Sequence, residues 1–131
     1  MFLSMLPTSH RLYSCNSSHV PQLADNSVQL IVTSPPYPMV AMWDELFGQV
    51  NPAIALALET SDADLAFELM HQELDKVWNE CCRVLAPGGI ACINIGDATR
   101  TLGGQFALHA NHARIMSAFR RKPMQCLPLI L

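Results

Sequence analysis

The stretch Val28-Gln29-Leu30-Ile31-Val32-Thr33-Ser34-Pro35-Pro36-Tyr37 decides how this chain of 131 residues is interpreted. Its first half, residues 28–32, is nearly continuously apolar, which is typical of a strand covered on both faces in a parallel sheet. Its second half cannot continue the strand, because proline has no N–H to donate to a neighbouring strand. The stretch therefore predicts a buried strand that stops at Thr33 and passes directly into a stiff loop.

A long helical pattern and a second apolar strand follow. Residues 61–64, Ser-Asp-Ala-Asp, supply an N-cap and a capping-box-like acid. Apolar side chains then recur at three- and four-residue steps as far as residues 87–89, Pro-Gly-Gly, and predict one helix with an apolar stripe. Those side chains are Leu65, Leu69, Leu74, Val77, Trp78, Cys81 and Leu85. Residues 90–95 predict a second buried strand, so strand, helix and strand should form a right-handed crossover.

The remaining segments give weaker patterns. Residues 11–15 predict a short strand, and residues 19–25 a helical turn or loop. Residues 39–60 indicate an irregular excursion beside an active site. Residues 108–120 predict a further helix, and residues 124–131 a strand interrupted by a proline.

The loop 33–38 lies where open α/β sheets bind ligands, beyond the carboxyl end of a strand. The Ser34 hydroxyl and the Pro35 carbonyl are acceptors, which a nucleobase amine needs when its lone pair is drawn out of conjugation. The prolines fix φ near about −65°, so the carbonyl directions are set in advance. Tyr37 offers a stacking face to a base flipped out of a duplex. The alternative is a plain rigid turn or a PxxP ligand, but such ligands occur in disordered segments rather than after an apolar strand.

At these residues the chain resembles the N4-cytosine and N6-adenine DNA methyltransferases, whose loop is Asp, Asn or Ser followed by Pro-Pro-Tyr. The serine form is similar to the cytosine branch. Residues 25–32, before the loop, and residues 83–90, at the helix–strand junction, are also similar to family segments. The resemblance implies a partial Rossmann-like fold of the S-adenosylmethionine-dependent methyltransferases, an α/β fold with an open, mostly parallel sheet flanked by helices.

The same resemblance implies transfer of a methyl group from S-adenosylmethionine to the N4 amine of cytosine in DNA. The expected base-handling residues are Ser34, Pro35, Pro36 and Tyr37. Adenine-N6 methylation is the near alternative, since the two amines make similar demands, and a non-catalytic remnant is the alternative of a different class. The expected partner is double-stranded DNA with a flipped target base, within a restriction–modification system that includes a cognate endonuclease.

Asn16, Thr33 and Asp97 are the expected cofactor contacts. The family commonly has Gly-Asp where this chain has Cys15-Asn16, and asparagine cannot supply a carboxylate. The chain also has no Phe-x-Gly-x-Gly segment, and its early catalytic loop resembles the permuted class, in which that segment comes late. Residues 1–131 are therefore expected to be the catalytic half of a DNA methylase domain, with the cofactor segment and the target-recognition region beyond residue 131.

The net charge of −3 conceals an uneven distribution along the chain. Residues 1–99 hold three basic side chains and all eleven acidic ones, whereas residues 100–131 hold five basic side chains and no acid. These five are Arg100, Arg114, Arg120, Arg121 and Lys122. They form either an edge for DNA phosphates or a solvated helix end, and the two interpretations carry equal weight.

The cysteine and histidine content predicts neither disulfides nor a metal site. The five cysteines form no CxxC pair and are interpreted as reduced core thiols. His109 and His112 are interpreted as surface residues, because no second ligand pair accompanies them. Trp43 and Phe47, four apart, are expected in the core or lining a pocket. The longest apolar runs fall short of a membrane span and no secretory signal is evident, so the cytoplasm is the expected compartment.

Overall fold

The structure, a computed structural model, describes residues 7–126. Its strands are β1 (Val28–Thr33), β2 (Leu85–Ile93), β3 (Ala98–Leu102) and β4 (Gln105–His109). Its helices are α1 (Asp44–Val50), α2 (Pro52–Glu59), α3 (Ala63–Val84) and α4 (Asn111–Arg120), and a 3₁₀ turn (Ala41–Trp43) precedes α1. No helix within residues 7–126 is long and apolar enough to cross a bilayer.

Strands β1 and β2 form a parallel pair joined through the helices between them, which confirms the predicted α/β crossover. Leu30 pairs with Ile90 and Thr33 with Ile93, so the carboxyl ends of both strands meet at one edge. The α3 helix ends at Val84, earlier than the Pro-Gly-Gly signal predicts, and β2 begins at the next residue. Because loops that follow parallel strands converge at their carboxyl ends, this edge is the place to look for a site.

The α3 helix starts as its sequence predicts and packs on two sides. The Asp62 carboxylate accepts a hydrogen bond from the Leu65 N–H (3.1 Å) and so caps the first turn. On the side away from the sheet its buried side chains contribute to a core shared with α1, α2 and α4. That core comprises Met39, Phe47, Ile54, Ala57, Ala66, Met70, Leu74, Trp78, Ala98, Ile115, Ala118 and Phe119. Phe47 is thus a core residue, and Trp43 packs partly buried against the same cluster.

One face of the β1–β2 pair is bare within the described part of the chain. Leu30 is 57% exposed, Val32 73% and Ile90 50%. The prediction of a strand covered on both faces is therefore wrong within residues 7–126. The face of β1 that carries Ile31 is covered by α3, whereas the face that carries Leu30 and Val32 is exposed. Apolar character along a strand indicates that both faces favour burial, and it does not say whether the covering layer belongs to the same segment.

The segments with weaker sequence patterns fold differently from their predictions. Residues 11–15 form no strand and are exposed. Residues 39–60 are mostly helical rather than irregular. The predicted helix over 108–120 begins at Asn111, because β4 occupies the preceding residues. Residues 124–126 form no strand, and the rest of the strand predicted over 124–131 lies outside the described residues.

Two side-chain predictions are also corrected. His109 is buried, at 6% exposed, rather than on the surface, because the β3–β4 hairpin turns it inward toward Phe67. All five cysteines are free, as predicted, but Cys15, Cys92 and Cys126 are exposed and are not core thiols. Cysteine spacing excludes pairing motifs and carries no information on depth in the fold.

Candidate functional site

The loop that follows β1 leaves the sheet edge at Ser34 and enters the core at Met39. The Thr33 carbonyl, at the end of the strand, accepts a hydrogen bond from the Asn94 N–H beyond β2 (2.9 Å). The Ser34 side chain is exposed, and its Oγ lies 3.4 Å from the Tyr37 hydroxyl oxygen. Pro38 and Met39 are buried. The loop therefore presents its serine end to solvent and is anchored at its proline–methionine end.

Met39 makes the sharp bend that closes the loop. Its φ is 66°, in the left-handed region that costs a residue with a Cβ about 1–2 kcal/mol. Its side chain is 1% exposed, and its N–H donates to the Sδ of Met70 (3.3 Å). Packing of the Met39 side chain in the core offsets the free-energy cost of this backbone conformation. It also fixes the end of the loop that carries Tyr37.

Gly96, just past β2, lies directly against the ring of Tyr37. A Cβ at residue 96 would be 3.2 Å from Cε2 of that ring, which is tighter than ordinary contact. The absence of a side chain lets the aromatic ring rest close to the backbone. The loops after β1 and β2 therefore meet at Tyr37, at the shared carboxyl edge of the two strands.

Asn111, the first residue of α4, is fully buried and bonds to both loops. Its Nδ2 donates to the carbonyl of Pro38 (3.0 Å) and to the carbonyl of Gly96 (2.9 Å). Its Oδ1 lies 2.9 Å from Nε2 of His71, which is equally buried on α3. Burial lowers the pKa of His71 to about 4, so its imidazole is neutral at physiological pH.

Asp97 is placed at the amino-terminal end of α4. Its Oδ1 accepts from the backbone N–H of His112 (3.2 Å), and both its carboxylate oxygens lie within 2.8 Å of the Nδ1 of that histidine. These hydrogen bonds lower the pKa of the Asp97 carboxyl. A carboxylate in this position also complements the positive end of the helix dipole.

Of the other two expected cofactor contacts, only Thr33 lines a cavity. This cavity has a volume of about 200 Å³, and its further walls come from residues 17–23, β1 and α3. Asn16 is exposed and does not line it, and its Oδ1 accepts from the Ser18 N–H (2.9 Å). Asp97 is not among the lining residues. Pockets that enclose cofactor-sized ligands run to roughly 300–1,000 Å³, so these three residues do not by themselves form a site that fits S-adenosylmethionine.

Arg83 fastens the segment before β1 to α3. Its guanidinium donates to the carbonyls of Val20 and Leu23 and forms ion pairs with Asp25 and Glu80, each at 2.6 Å. The Val20 N–H donates in turn to Glu80 (2.7 Å). These contacts lower the pKa of Glu80 to about 2, first through Arg83 and then through that N–H. The segment is thus attached by these side-chain contacts and, at its end, by the N–H groups of Asn26 and Ser27, which donate to the carbonyls of Arg83 (3.0 Å) and Val84 (2.9 Å).

The basic residues after residue 99 do not form one free edge. Arg100 makes a bidentate pair with Asp44 (2.8 and 2.6 Å), and Arg114 pairs with Glu68 and Asp75. Lys122 donates to the side-chain oxygen of Asn79 on α3. The other two predicted phosphate contacts, Arg120 and Arg121, are exposed at the end of α4. Acids from the earlier part of the chain therefore neutralise two of these five positive charges, those of Arg100 and Arg114.

This loop and fold coincide with a known protein family. A family model for DNA methylases matches residues 28–127, which include the parallel strands β1 and β2, the loop 34–39 and α4. The chain belongs to the N6/N4 DNA methylase family. Methyltransferases of this family use S-adenosylmethionine as the methyl donor.

Two curated members of the family are similar to nearly the whole chain. A type II methyltransferase of Methanothermobacter thermautotrophicus, M.MthZI, is 49% identical over 127 residues, which are 96% of this chain and 36% of that protein. M.MjaI, a type II methyltransferase of Methanocaldococcus jannaschii, is 43% identical over 96% of this chain and 45% of its own length. The chain therefore spans less than half the length of these relatives.

Solved structures agree with the family. The crystal structure of TTHA0409 from Thermus thermophilus, described as a DNA modification methylase, superimposes with a TM-score of 0.59 at 29% identity. The match covers 86% of this chain and 40% of that one. A selenomethionine derivative of the same protein gives a TM-score of 0.59 at 25% identity, over 92% of this chain and 50% of that one. The partial methyltransferase fold implied by the resemblance is confirmed.

Proposed function

We propose that this chain is the base-handling part of an S-adenosylmethionine-dependent DNA methyltransferase that methylates the N4 amine of cytosine. The observation that carries the proposal is the loop 34–37, which places an exposed serine hydroxyl beside an aromatic ring at the carboxyl edge of β1 and β2. The substrate is double-stranded DNA with the target cytosine flipped out. The expected context is a restriction–modification system, since both curated relatives are named type II methyltransferases.

The chemistry of the described residues concerns the acceptor base. The Ser34 hydroxyl and the Pro35 carbonyl accept hydrogen bonds from the two N–H groups of the cytosine amine, which makes its nitrogen lone pair available to a methyl carbon. The N–C bond would form as the methyl–sulfur bond of the donor breaks, and the amine would release one proton to solvent. Pro35 and Pro36 have no N–H that competes for these acceptors. Tyr37 stacks on the flipped base, an interaction that contributes about 1–3 kcal/mol at comparable sites. Serine at the first loop position supports cytosine over adenine, by resemblance to the cytosine branch.

Binding of the methyl donor is a separate part of the proposal. Asn16, Thr33 and Asp97 remain the predicted contacts of this chain with S-adenosylmethionine. Only Thr33 lines the cavity beside α3, and Asp97 is already engaged by His112. These residues can contribute individual hydrogen bonds, and the remaining walls of a cofactor pocket must come from elsewhere in the protein.

The test is mass analysis of nucleosides from unmethylated DNA incubated with S-adenosylmethionine and the protein as its gene encodes it. N4-methylcytosine is the expected product. N6-methyladenine would replace the cytosine assignment by the adenine one, and the absence of both methylated bases would favour a non-catalytic remnant.

A matched pair of serine variants assigns the chemistry to the loop. Ser34→Ala removes one acceptor at the reacting amine and should lower kcat by about a hundredfold or more, with KM for DNA little changed. Ser9→Ala, at an exposed position before the strand, is the control and should match the wild type. Full activity of Ser34→Ala would rule out the role assigned to its hydroxyl.

A further inference from the structure

The buried amide of Asn111 joins three segments that are distant in sequence. It bonds to Pro38 in the loop after β1, to Gly96 in the loop after β2 and to His71 on α3. It is 0% exposed, as is His71. A buried polar side chain is costly unless it is hydrogen-bonded, and this one has three partners.

The partners of the amide determine its orientation and the histidine tautomer. Two backbone carbonyls face Nδ2, and carbonyls accept only, so the NH₂ group must point toward them. The amide oxygen is then directed at His71, whose Nε2 must carry the proton to complete the bond. Its Nδ1 is left as a buried lone pair with no hydrogen-bond partner among the described residues.

The two carbonyls that Asn111 binds belong to residues that adjoin Tyr37, one in sequence and one in space. Pro38 is the residue after Tyr37, and Gly96 is the residue on which the ring rests. The loop has few ways to fix itself, because the prolines at 35, 36 and 38 have no N–H to donate. Because the Pro38 and Gly96 carbonyls bind the same amide group, the distance between the two loops that contact the Tyr37 ring is fixed.

We propose that Asn111, oriented by His71, is a positioning residue that fixes the Ser34–Tyr37 loop in the geometry that receives the target base. The functional half of this inference rests on the proposed function of the loop. Neither side chain touches the base: Asn111 acts through the backbone of Pro38 and Gly96, and His71 acts through Asn111.

The first test observes the loop directly, in the chain labelled on its tyrosine rings for NMR. The chain has two tyrosines, so Tyr13 serves as an internal reference for Tyr37. Asn111→Asp removes both N–H donors at nearly unchanged shape and should move the Tyr37 ring signals while leaving Tyr13 in place. Asn79→Asp, on the exposed side of α3, is the matched control and should move neither. Unmoved Tyr37 signals in a folded Asn111→Asp variant would overturn the proposal.

Two histidine variants keep the test decisive if Asn111→Asp does not fold. His71→Gln retains an N–H for the Asn111 oxygen, whereas His71→Leu has none. The leucine variant should displace the Tyr37 signals, and the glutamine variant should bring them back toward the wild-type position. Equal Tyr37 signals in the two variants would contradict the orienting role of His71.

A kinetic arm separates this inference from the proposed function. If the wild-type protein methylates DNA, Asn111→Asp should lower kcat by about tenfold or more with little change in KM for DNA, because the reacting base is misplaced rather than unbound. Wild-type kcat in the folded variant would overturn the positioning role. If no variant methylates DNA while the Tyr37 signals move as expected, the function proposed for the loop fails and its anchoring by Asn111 stands.

Discussion

The segments on either side of β1 are held in different ways. The loop after the strand, residues 34–39, is anchored by buried atoms of α3 and α4 and ends in a core residue. The segment before it, residues 7–27, has turns but no helix or strand and is mostly exposed. It is attached through the side chains of Arg83 and Glu80 and through two backbone hydrogen bonds to the end of α3. The loop proposed to handle the base is thus preorganised within the described residues, whereas the segment expected to meet the cofactor is held by a few surface contacts.

The largest effect should come from removing the core support of the loop. Met70→Ala deletes a fully buried side chain that accepts the Met39 N–H, and it should lower the free energy of unfolding by about 2–5 kcal/mol. Met42→Ala, the same change at a side chain 75% exposed, should stay within about 0.5 kcal/mol. Denaturant titration of both variants measures the difference, and equal losses would show that the loop does not depend on this core.

The second largest effect should come from acid, which should lower the free energy of unfolding through His71. Because the pKa of His71 is lowered to about 4 in the folded state, the unfolded chain binds the extra proton first as the pH falls below about 6.5. The contribution of His71 to the free energy of unfolding is therefore complete above pH 6.5, and it falls by about 3 kcal/mol as the pH drops to 4.

The measurement for this acid effect is the free energy of unfolding from pH 7 to pH 5. The charged groups nearest His71 on the packed helices are Glu68, Asp75 and Arg114, which form ion pairs with one another. His71→Gln should flatten the pH dependence, and His10→Gln, at an exposed position, should not. A wild-type slope in His71→Gln would mean that another group titrates.

A smaller, local effect is expected before the strand. Arg83→Met removes the donors to Val20 and Leu23 and both ion pairs of the guanidinium. Amide exchange should accelerate in residues 17–25 and stay unchanged in residues 34–40, since the loop has separate anchors. Arg11→Met, at an exposed position, serves as control. Equal acceleration on both sides of β1 would break the distinction between them.

The smallest effect should come from the bare face of β1 itself. Val32→Thr places a hydroxyl on a side chain that is 73% exposed, so unfolding should change by no more than about 0.5 kcal/mol. Thermal melting measures this directly. A loss comparable with that of Met70→Ala would show that this face is covered in the folded protein.

The sequence predicts the parts of this fold whose signals are local. Continuous apolar character predicts β1, the capping residue and apolar stripe predict α3, and the prolines predict the loop at the strand end. The β3–β4 hairpin has a local signal too, since Gly103-Gly104 is a two-residue turn with positive φ at both positions, but the strands around it are too short and polar to stand out.

The anchors of the loop have no such signal. Asn111 is 73 residues from Pro38 and 40 from His71 along the chain, and a lone asparagine at the start of a helix is ordinarily a surface residue. The tight contact of Gly96 with Tyr37 likewise depends on two loops meeting only after the strands pair. The sequence therefore proposes the site residues of the loop, whereas the residues that anchor the loop are found only in the tertiary structure.

The left-handed backbone of Met39 has a consequence for how the loop responds to warming. A bend that the backbone disfavours persists only while the core grips the side chain that makes it. Slight expansion around Met70 would let residue 39 relax and carry Tyr37 with it, at temperatures where the helices are still formed. The Tyr37 ring is therefore expected to leave its position below the melting temperature, and to return to it on cooling.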